Sequence, residues 1–397
     1  MKTVMMVGGG IQEVRAIDLA HRHGYRIAVT DVNPDAACRE GADEFHVVDG
    51  RDAEGVAALA CHLQSEGRLH GIFTLTELVS TVSLATLAAG LVGASFESAV
   101  RCQDKGLAKQ ALLNRGVSTP VGGTCLTSRE AHRLLEDLGG EAIVKPVRGS
   151  GGGGVARVTS TDELDAALGV EVGYQGAPHW LLERFVEGSS HDVNGLIDES
   201  GTFHSLGIVD RTFVEGGFAE EGIRAPTLLT AEDQRRLYQL LERSAAALGV
   251  SIGPVKGDAI LSDGVLYMLE IAPRIHGPKT SLYALPESGQ DPWGTVFSAI
   301  VDGRPEETGN HGNHGGVFQS APILCTPGRI TEIRGVEEAL KVPGILEVML
   351  LKGPGDVVGT MRDSTDVAGY VFATGSDALK VASVLDRARS LVSLPTV

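Results

Sequence analysis

The sequence predicts an α/β protein in three parts, and three observations carry that expectation. Up to about residue 95, strand, glycine-bearing turn and helix alternate in the manner of an open parallel sheet. Near Gly257–Gly277, two apolar runs flank Asp263-Gly264, a strong signal for an antiparallel hairpin. From Val317 onward, short strands and helices alternate as a small α+β unit. A length of 397 residues exceeds a typical single core and also points to two or three domains.

The formal net charge of −17 argues against a nucleic-acid-binding surface and against attraction to anionic membranes. A hydrophobic content of 43% is ordinary for a globular protein, so burial is not limiting. Five cysteines, Cys38, Cys61, Cys102, Cys125 and Cys325, stand singly without a C-x-x-C, which predicts neither a disulfide framework nor a zinc site. A reducing, cytoplasmic setting is the expectation. Met1–Gly8 enters a strand at once, with no signal-cleavage pattern, and no apolar run reaches 18 residues, so neither secretion nor membrane spanning is expected.

Taken in order, residues 3–8 read as a strand ending in Gly8-Gly9-Gly10, followed by a helix to about His23 and a second strand at Arg26–Asp31. A dinucleotide fingerprint would require a small residue three positions after its second glycine. Glu13 stands there, so that site is not expected. Strands at Glu44–Val48 and Gly71–Leu75 complete the first sheet. The chain changes character at 96–105 and enters a helix ending near Arg115-Gly116. Lys105 at that helix start opposes the macrodipole, which favours anions there; beside a phosphate it would gain, and an exposed surface lysine has the same signature.

Lys145 lies inside the apolar strand Ala142–Pro146, where an unpaired ammonium is disfavoured. Gly149, Ser150, Gly151, Gly152, Gly153, Gly154 and Val155 then precede a return strand. Such a run can offer several backbone N–H groups to an anion, and it is not a Walker loop because no Gly-Lys-Ser/Thr follows. A phosphate-covering loop is the expectation. The strand from Trp180 ends in Glu183, Phe185, Val186 and Glu187, with Asp192 opening the next. A strand end of this kind suits an adenine edge, and an ordinary edge strand looks the same. Leu206–Thr227 reads as a polar connection bearing Arg211 and Arg224, a lid or substrate loop. A helix at about 230–248 leads to the hairpin, which sets Asp258 near Glu270. Opposed carboxylates are destabilising without a positive group between them, and Mg²⁺ is the usual one. Arg274 adds a fork suited to phosphate or carboxylate. His311 and His314, in a glycine-rich stretch, read as linker.

The order and spacing of these parts resemble the ATP-grasp superfamily of carboxylate–amine ligases across nearly the whole chain. The resemblance implies a Rossmann-like domain at 1–100, an ATP-grasp domain of two α+β subdomains at 101–310 with its glycine-loop subdomain at about 120–180, and a C-terminal α+β domain at 311–397. It implies ATP as cofactor with Mg²⁺ (or Mn²⁺) held by Asp258 and Glu270. Lys105 and Lys145 would meet phosphates under the loop Ser150, Gly151, Gly152, Gly153 and Val155. Glu183, Phe185 and Val186 would form the adenine hinge. Ser190 falls where the family commonly has its ribose acid, leaving Glu187 or Asp192 for that task. Arg274 would be the catalytic arginine at the transferred phosphate, with His276, Gly277 and Arg224 toward the substrate. Ala272 replaces a common asparagine, which implies a metal shell with one protein ligand fewer and an extra water.

Pro327–Leu340, Pro343–Ile345 and Ala368–Gly375 resemble the terminal domain of L-amino-acid ligases, whereas Glu270–Gly277 resembles purine-biosynthetic enzymes that carboxylate or formylate small amines. The longer resemblance implies amide formation through an acyl phosphate, with an amino acid as one substrate and ADP and phosphate released. The purine-type reaction is the alternative. A non-catalytic ATP-binding regulator is a third reading, motivated by Ala272 and Ser190. The implied partners are a small carboxylate and an amine, and the family suggests a homodimer.

Overall fold

Four fully or partly buried apolar segments at the start of the chain pair in parallel, β1 (Thr3–Val7), β2 (Arg26–Asp31), β3 (Glu44–Val47) and β4 (Gly71–Phe73), in the order β3-β2-β1-β4. The computed structural model describes residues 1–149, 151–169, 179–214, 217–306, 316–360 and 364–397. After β1 the chain turns at Gly8, whose φ is +102°. Asp31 accepts the Gly9 amide at 2.9 Å, and Glu13 folds back so closely that a Cβ on Gly10 would meet its Oε2 at 2.8 Å. Burial pushes the Glu13 carboxyl up, against hydrogen bonds from its own and the Gly10 amides. The glycine turn therefore directs its Gly9 and Gly10 amides to the chain's own carboxylates.

Asp104 breaks the next helical run in two, Phe96–Gln103 and Lys105–Asn114, by accepting the amides of Gly106 and Leu107 as an N-cap. A second, antiparallel sheet follows, β5 (Gly122–Cys125), β6 (Ala142–Pro146), β7 (Ala156–Val158) and β8 (Trp180–Arg184), ordered β5-β8-β6-β7. The helices Ser128–Asp137 and Thr161–Leu168 close one of its faces around Trp180, Leu182 and Val144.

Among the described residues the largest sheet has eight strands. It contains β9 (Ser189–Ile197), β10 (Phe203–Phe213), β11 (Glu220–Ala225), β12 (Gly253–Ser262), β13 (Val265–Ala272) and β14 (Val317–Pro322). After the short pair β15 (Gly328–Arg329) and β17 (Val357–Val358), β16 (Ile345–Leu350) and β18 (Gly369–Gly375) complete it, in the order β13-β12-β9-β10-β11-β14-β18-β16. The C-terminal strands thus continue the central sheet. Leu206–Thr227 is a correction to the sequence reading, because most of it forms β10 and β11. Arg211 and Glu220 are partnered across strands, so polarity there marks a buried charge network.

One face of this sheet packs on the helix Ala231–Leu248 through Val193, Ile208, Ala259, Met268 and Ile271. The opposite face joins Leu196, Val209, Ile223 and Ala225 to Trp293, Phe297 and the first sheet. The polar groups described next lie on that second face. No helix among the described residues is long and apolar enough to cross a membrane.

Candidate functional site

Side-chain alternation builds two rows across β9, β12 and β13. Asp192, Asp258 and Glu270 form one row, and Asn194, Lys256 and Ala272 the next. Gly257, between them, faces the helix, where a Cβ would meet the Met268 sulfur at 2.8 Å and Leu241 at 2.9 Å. The Asp263-Gly264 turn has φ of 46° and 77°, as a two-residue hairpin turn requires. Pairing runs Ser262 to Val265, Leu261 to Leu266, Ile260 to Tyr267 and Ala259 to Met268, which would set Asp258 against Leu269. A one-residue bulge intervenes and Asp258 faces Glu270 instead. Without it Glu270 would follow Leu266 and Met268 onto the helix face.

The positive group between the two carboxylates is Lys256, which the sequence reading overlooked. Its Nζ donates to Asp258 Oδ1 at 3.0 Å and Glu270 Oε1 at 3.1 Å, and the side chain is buried. Burial alone would raise the Glu270 carboxyl; Lys256 and then Lys105 outweigh it and pull the group down to about 2. Asp258 is likewise held well below the usual range, burial being overcome by Lys256, His276 and Arg211. Among the described residues, the second oxygen of each carboxylate has longer cationic neighbours, Arg211 at 3.6 Å from Asp258 Oδ2 and Lys105 at 3.7 Å from Glu270 Oε2. Two hard oxygens on facing strands, each still accessible to a cation, suit one Mg²⁺ or Mn²⁺.

His276 Nδ1 lies 2.9 Å from Asn194 Oδ1, the oxygen that also accepts the His276 backbone amide, and its Nε2 faces Asp258 Oδ1 at 2.8 Å. With both ring nitrogens engaged, the ring is fixed in place beside Asp258. Asp192, Asp258 and His276 bring one ligand atom each within 4.8 Å of one another. Asp192, however, is taken by Arg211 at 3.1 Å and Thr280 at 2.9 Å. Asp192, expected at a ribose, thus lies in the carboxylate row beside Asp258 with its oxygens engaged.

Lys105 reaches from its helix start to the Gly149 carbonyl at 2.7 Å, so it joins the glycine loop to Glu270. Gly149, Gly151, Gly152 and Gly154 have positive φ, Gly152 O accepts the Val155 amide at 3.1 Å, and Gly151 O accepts the Ser364 amide at 3.0 Å. Gly153 lies in the same turn; Ser150 lies outside the described residues, as do His311 and His314. Lys145 pairs with Glu183, and so does Lys109, one helical turn past Lys105, another residue the sequence reading passed over. Glu183 is therefore a buried carboxylate between two ammoniums. Arg157 stacks over Phe185, 3.9 Å from its centroid, beside half-buried Val186.

Arg274 is buried, donating to Glu77 at 2.5 Å and to the Ile275 carbonyl at 3.0 Å. Glu77 follows β4 of the first sheet, so this contact ties that sheet to the site. Gly277 opens the π-helical turn Lys279–Ala284, and its carbonyl accepts the Thr280 and Ser281 amides. Arg224 is a correction. Its neighbours Ile223 and Ala225 both pack on the first-sheet side, so strand alternation turns Arg224 to the other face. Arg211 occupies the site instead and bridges Asp192, Asp258 and Glu220; Glu220 in turn holds Lys279, whose Nζ sits 3.8 Å from the Tyr370 ring centroid.

Comparison with known proteins places this geometry. Residues 102–278 match the ATP-grasp domain, and residues 323–397 match L-amino acid ligase C-terminal domain 2. The L-amino acid ligase of Bacillus licheniformis superposes with a TM-score of 0.81 at 19% identity, over 100% of this chain and 99% of that one. N5-carboxyaminoimidazole synthase of Aspergillus clavatus, solved with ADP and 5-aminoimidazole ribonucleotide, gives 0.77 at 16% identity over 98% of each chain. In sequence, an uncharacterized protein, y4rH, of Sinorhizobium fredii is 26% identical over 307 residues, 75% of this chain and 62% of that protein. The carbamoyl phosphate synthase large chain of Deinococcus deserti is 27% identical over 278 residues, 68% of this chain and 27% of that protein. The chain thus spans less than two thirds of these curated relatives. The chain carries an ATP-grasp domain, which holds the carboxylate pair, followed by an L-amino acid ligase C-terminal domain.

Proposed function

We propose that the protein is an ATP-dependent carboxylate–amine ligase that forms an amide bond through an acyl phosphate, with an amino acid as one substrate. The observation that carries this reading is the facing of Asp258 and Glu270 beneath Lys105 and the glycine loop. A carboxylate is a poor electrophile, and transfer of the ATP γ-phosphoryl group to its oxygen supplies the missing leaving group. The amine then attacks the acyl carbon, phosphate departs with the C–O bond electrons, and the amine gives up a proton. Mg²⁺ held at Asp258 and Glu270 would supply charge neutralisation at the phosphate oxygens.

The chain's own groups do the rest. Lys105 and Lys145 stand where phosphate charge would collect, and the loop amides would cover it. Phe185 and Val186 would offer backbone to adenine. Glu77 holds Arg274; a γ-phosphate would compete for the same guanidinium, which would then bind the transferred group. Arg211, Glu220 and Lys279 line the side toward β18 with both signs of charge, as a zwitterionic amino acid would need. Arg211→Ala is expected to lower turnover about 100-fold, the scale of losing one oriented donor. Arg224→Ala should change it only a few-fold; steady-state kinetics on both variants checks the assignment, and the reverse order would reject it.

The phrase Glu270–Gly277 and the purine-type solved relatives favour a second reading, carboxylation of a phosphorylated ribotide amine. The engagement of the Gly9 and Gly10 amides by Asp31 and Glu13 speaks against a phosphate at that turn. The deciding experiment is an ADP-release screen of amino acids and small carboxylates in pairs, with product mass by mass spectrometry. ADP formation that needs both a carboxylate and an amine, with a product mass equal to their sum less water, is expected. Dependence on bicarbonate and a ribotide would install the second reading, and tight ATP binding without ADP across the panel would mark a regulator.

A further inference from the structure

We propose that Lys256 is a built-in cation that takes the place of a second metal ion, so that this centre works with a single divalent ion. The inference rests on the ATP-grasp reading of the site and concerns this chain's own departure from it. Ala272 stands where the resemblance leads one to expect an asparagine ligand. In the hairpin register the residue directly opposite Ala272 is Lys256. Side chains so paired on one face lie about 4.5–5.5 Å apart at Cβ, so a lysine and an asparagine would compete for the same space, whereas the alanine methyl leaves it to the lysine.

Lys256 uses that space. It is 3% exposed, and its ammonium lies at 3.0 Å from Asp258 Oδ1 and 3.1 Å from Glu270 Oε1. These are the inner oxygens of the pair. His276 Nε2 also lies 2.8 Å from Asp258 Oδ1, so that oxygen has two close neighbours. Asn194, the neighbour of Lys256 on β9, turns its oxygen to His276 and has a buried Nδ2 without a partner, so this side of the row presents donors and no further oxygen ligand. A Mg²⁺ ion needs octahedral oxygen ligation at about 2.0–2.1 Å. The inner side offers it an ammonium and two oxygens already hydrogen-bonded, while the outer oxygens Asp258 Oδ2 and Glu270 Oε2 stay accessible. One ion fits on the outside, and the fixed ammonium fills the inside. A compact point charge on a flexible stem is suited to this, since it neutralises both carboxylates before any metal arrives.

The test counts metal directly on the full-length chain with a non-hydrolysable ATP analogue. Mn²⁺ titration followed by electron paramagnetic resonance should give about one bound ion per chain for the wild type. The double variant Lys256→Met with Ala272→Asn removes the ammonium and restores an oxygen ligand, and should rise to about two. Ala272→Asn alone keeps the ammonium and should stay at the wild-type count. Two ions in the wild type, or a second ion gained by Ala272→Asn alone, would overturn the proposal; the wild-type count decides even if the double variant does not fold. As a second measurement, Lys256→Met should gain more melting temperature from Mn²⁺ without nucleotide than the wild type does, because its carboxylates lack their internal counterion. An equal shift would count against Lys256. Failure of the ATP reading itself would give a different signal, no calorimetric heat for the analogue at any metal concentration.

Discussion

Glu270→Ala is expected to reduce ADP formation by about 10³-fold, the upper range for loss of one group that stabilises transition-state charge. Glu270 Oε2 is one of the two oxygens still accessible to a cation, and Lys105 lies 3.7 Å from it on the path to the glycine loop. Removing the carboxylate leaves Asp258 as the remaining hairpin ligand and frees Lys105 and Lys256 from one shared partner. The loss should fall on turnover, with Mn²⁺ affinity weakened in parallel when measured with the ATP analogue. Circular dichroism and melting of the variant separate this from misfolding. A folded Glu270→Ala protein with near wild-type turnover would remove the metal assignment.

Glu183→Gln is expected to produce the largest loss of stability among the site residues, about 3–5 kcal/mol, the usual cost of breaking a buried ion pair from one side. Glu183 is 2% exposed and lies between the ammoniums of Lys109 and Lys145. Burial disfavours the ionised carboxyl, but Lys145 and then Lys109 more than compensate, so it is held below its usual value of 4.5. Lys109 is itself drawn below the usual lysine value, because burial outweighs its attraction to Glu183. Two cations thus share one anion, and neutralising that anion leaves both exposed to desolvation cost.

The sign with pH follows from the direction of the Glu183 shift. Below the usual glutamate value the unfolded chain takes up the proton while the folded carboxyl remains ionised, so acid favours unfolding. The contribution is complete above about pH 4.5 and is lost as pH falls through the lower folded value. Urea melts of wild type and Glu183→Gln should therefore differ most at neutral pH and converge as the pH falls below that of an ordinary glutamate. A constant difference down to acid would contradict this account.

Much of the site was legible because its signals are local. The Asp-Gly turn, the glycine run after Lys145 and the strand carrying Glu183 each rest on a few neighbouring residues whose backbone preferences are strong. Lys256-Gly-Asp258 also carried a readable signal, since residues two apart on a strand share a face. Lys109 had a weaker one, a lysine one turn from Lys105. The polarity of Leu206–Thr227 misled because charged residues in a buried strand and in a loop look alike until their partners are known. Arg211 and Arg224 differ only in which way the strand turns them.

By itself the sequence determined the glycine turns, the mixed α/β class, and the presence of two acids and several cations bound for one hairpin region. Tertiary structure alone decided how they meet. The bulge at Leu269 moves Glu270 from the helix face to the side of Asp258, a one-residue shift that period-two patterning does not encode. Parallel and antiparallel neighbours then supply partners from far along the chain, Asn194 for His276, Glu77 for Arg274 and Glu183 for both Lys109 and Lys145. Charge balance in a buried site is set by such distant pairings, and they exist only once the sheet has formed.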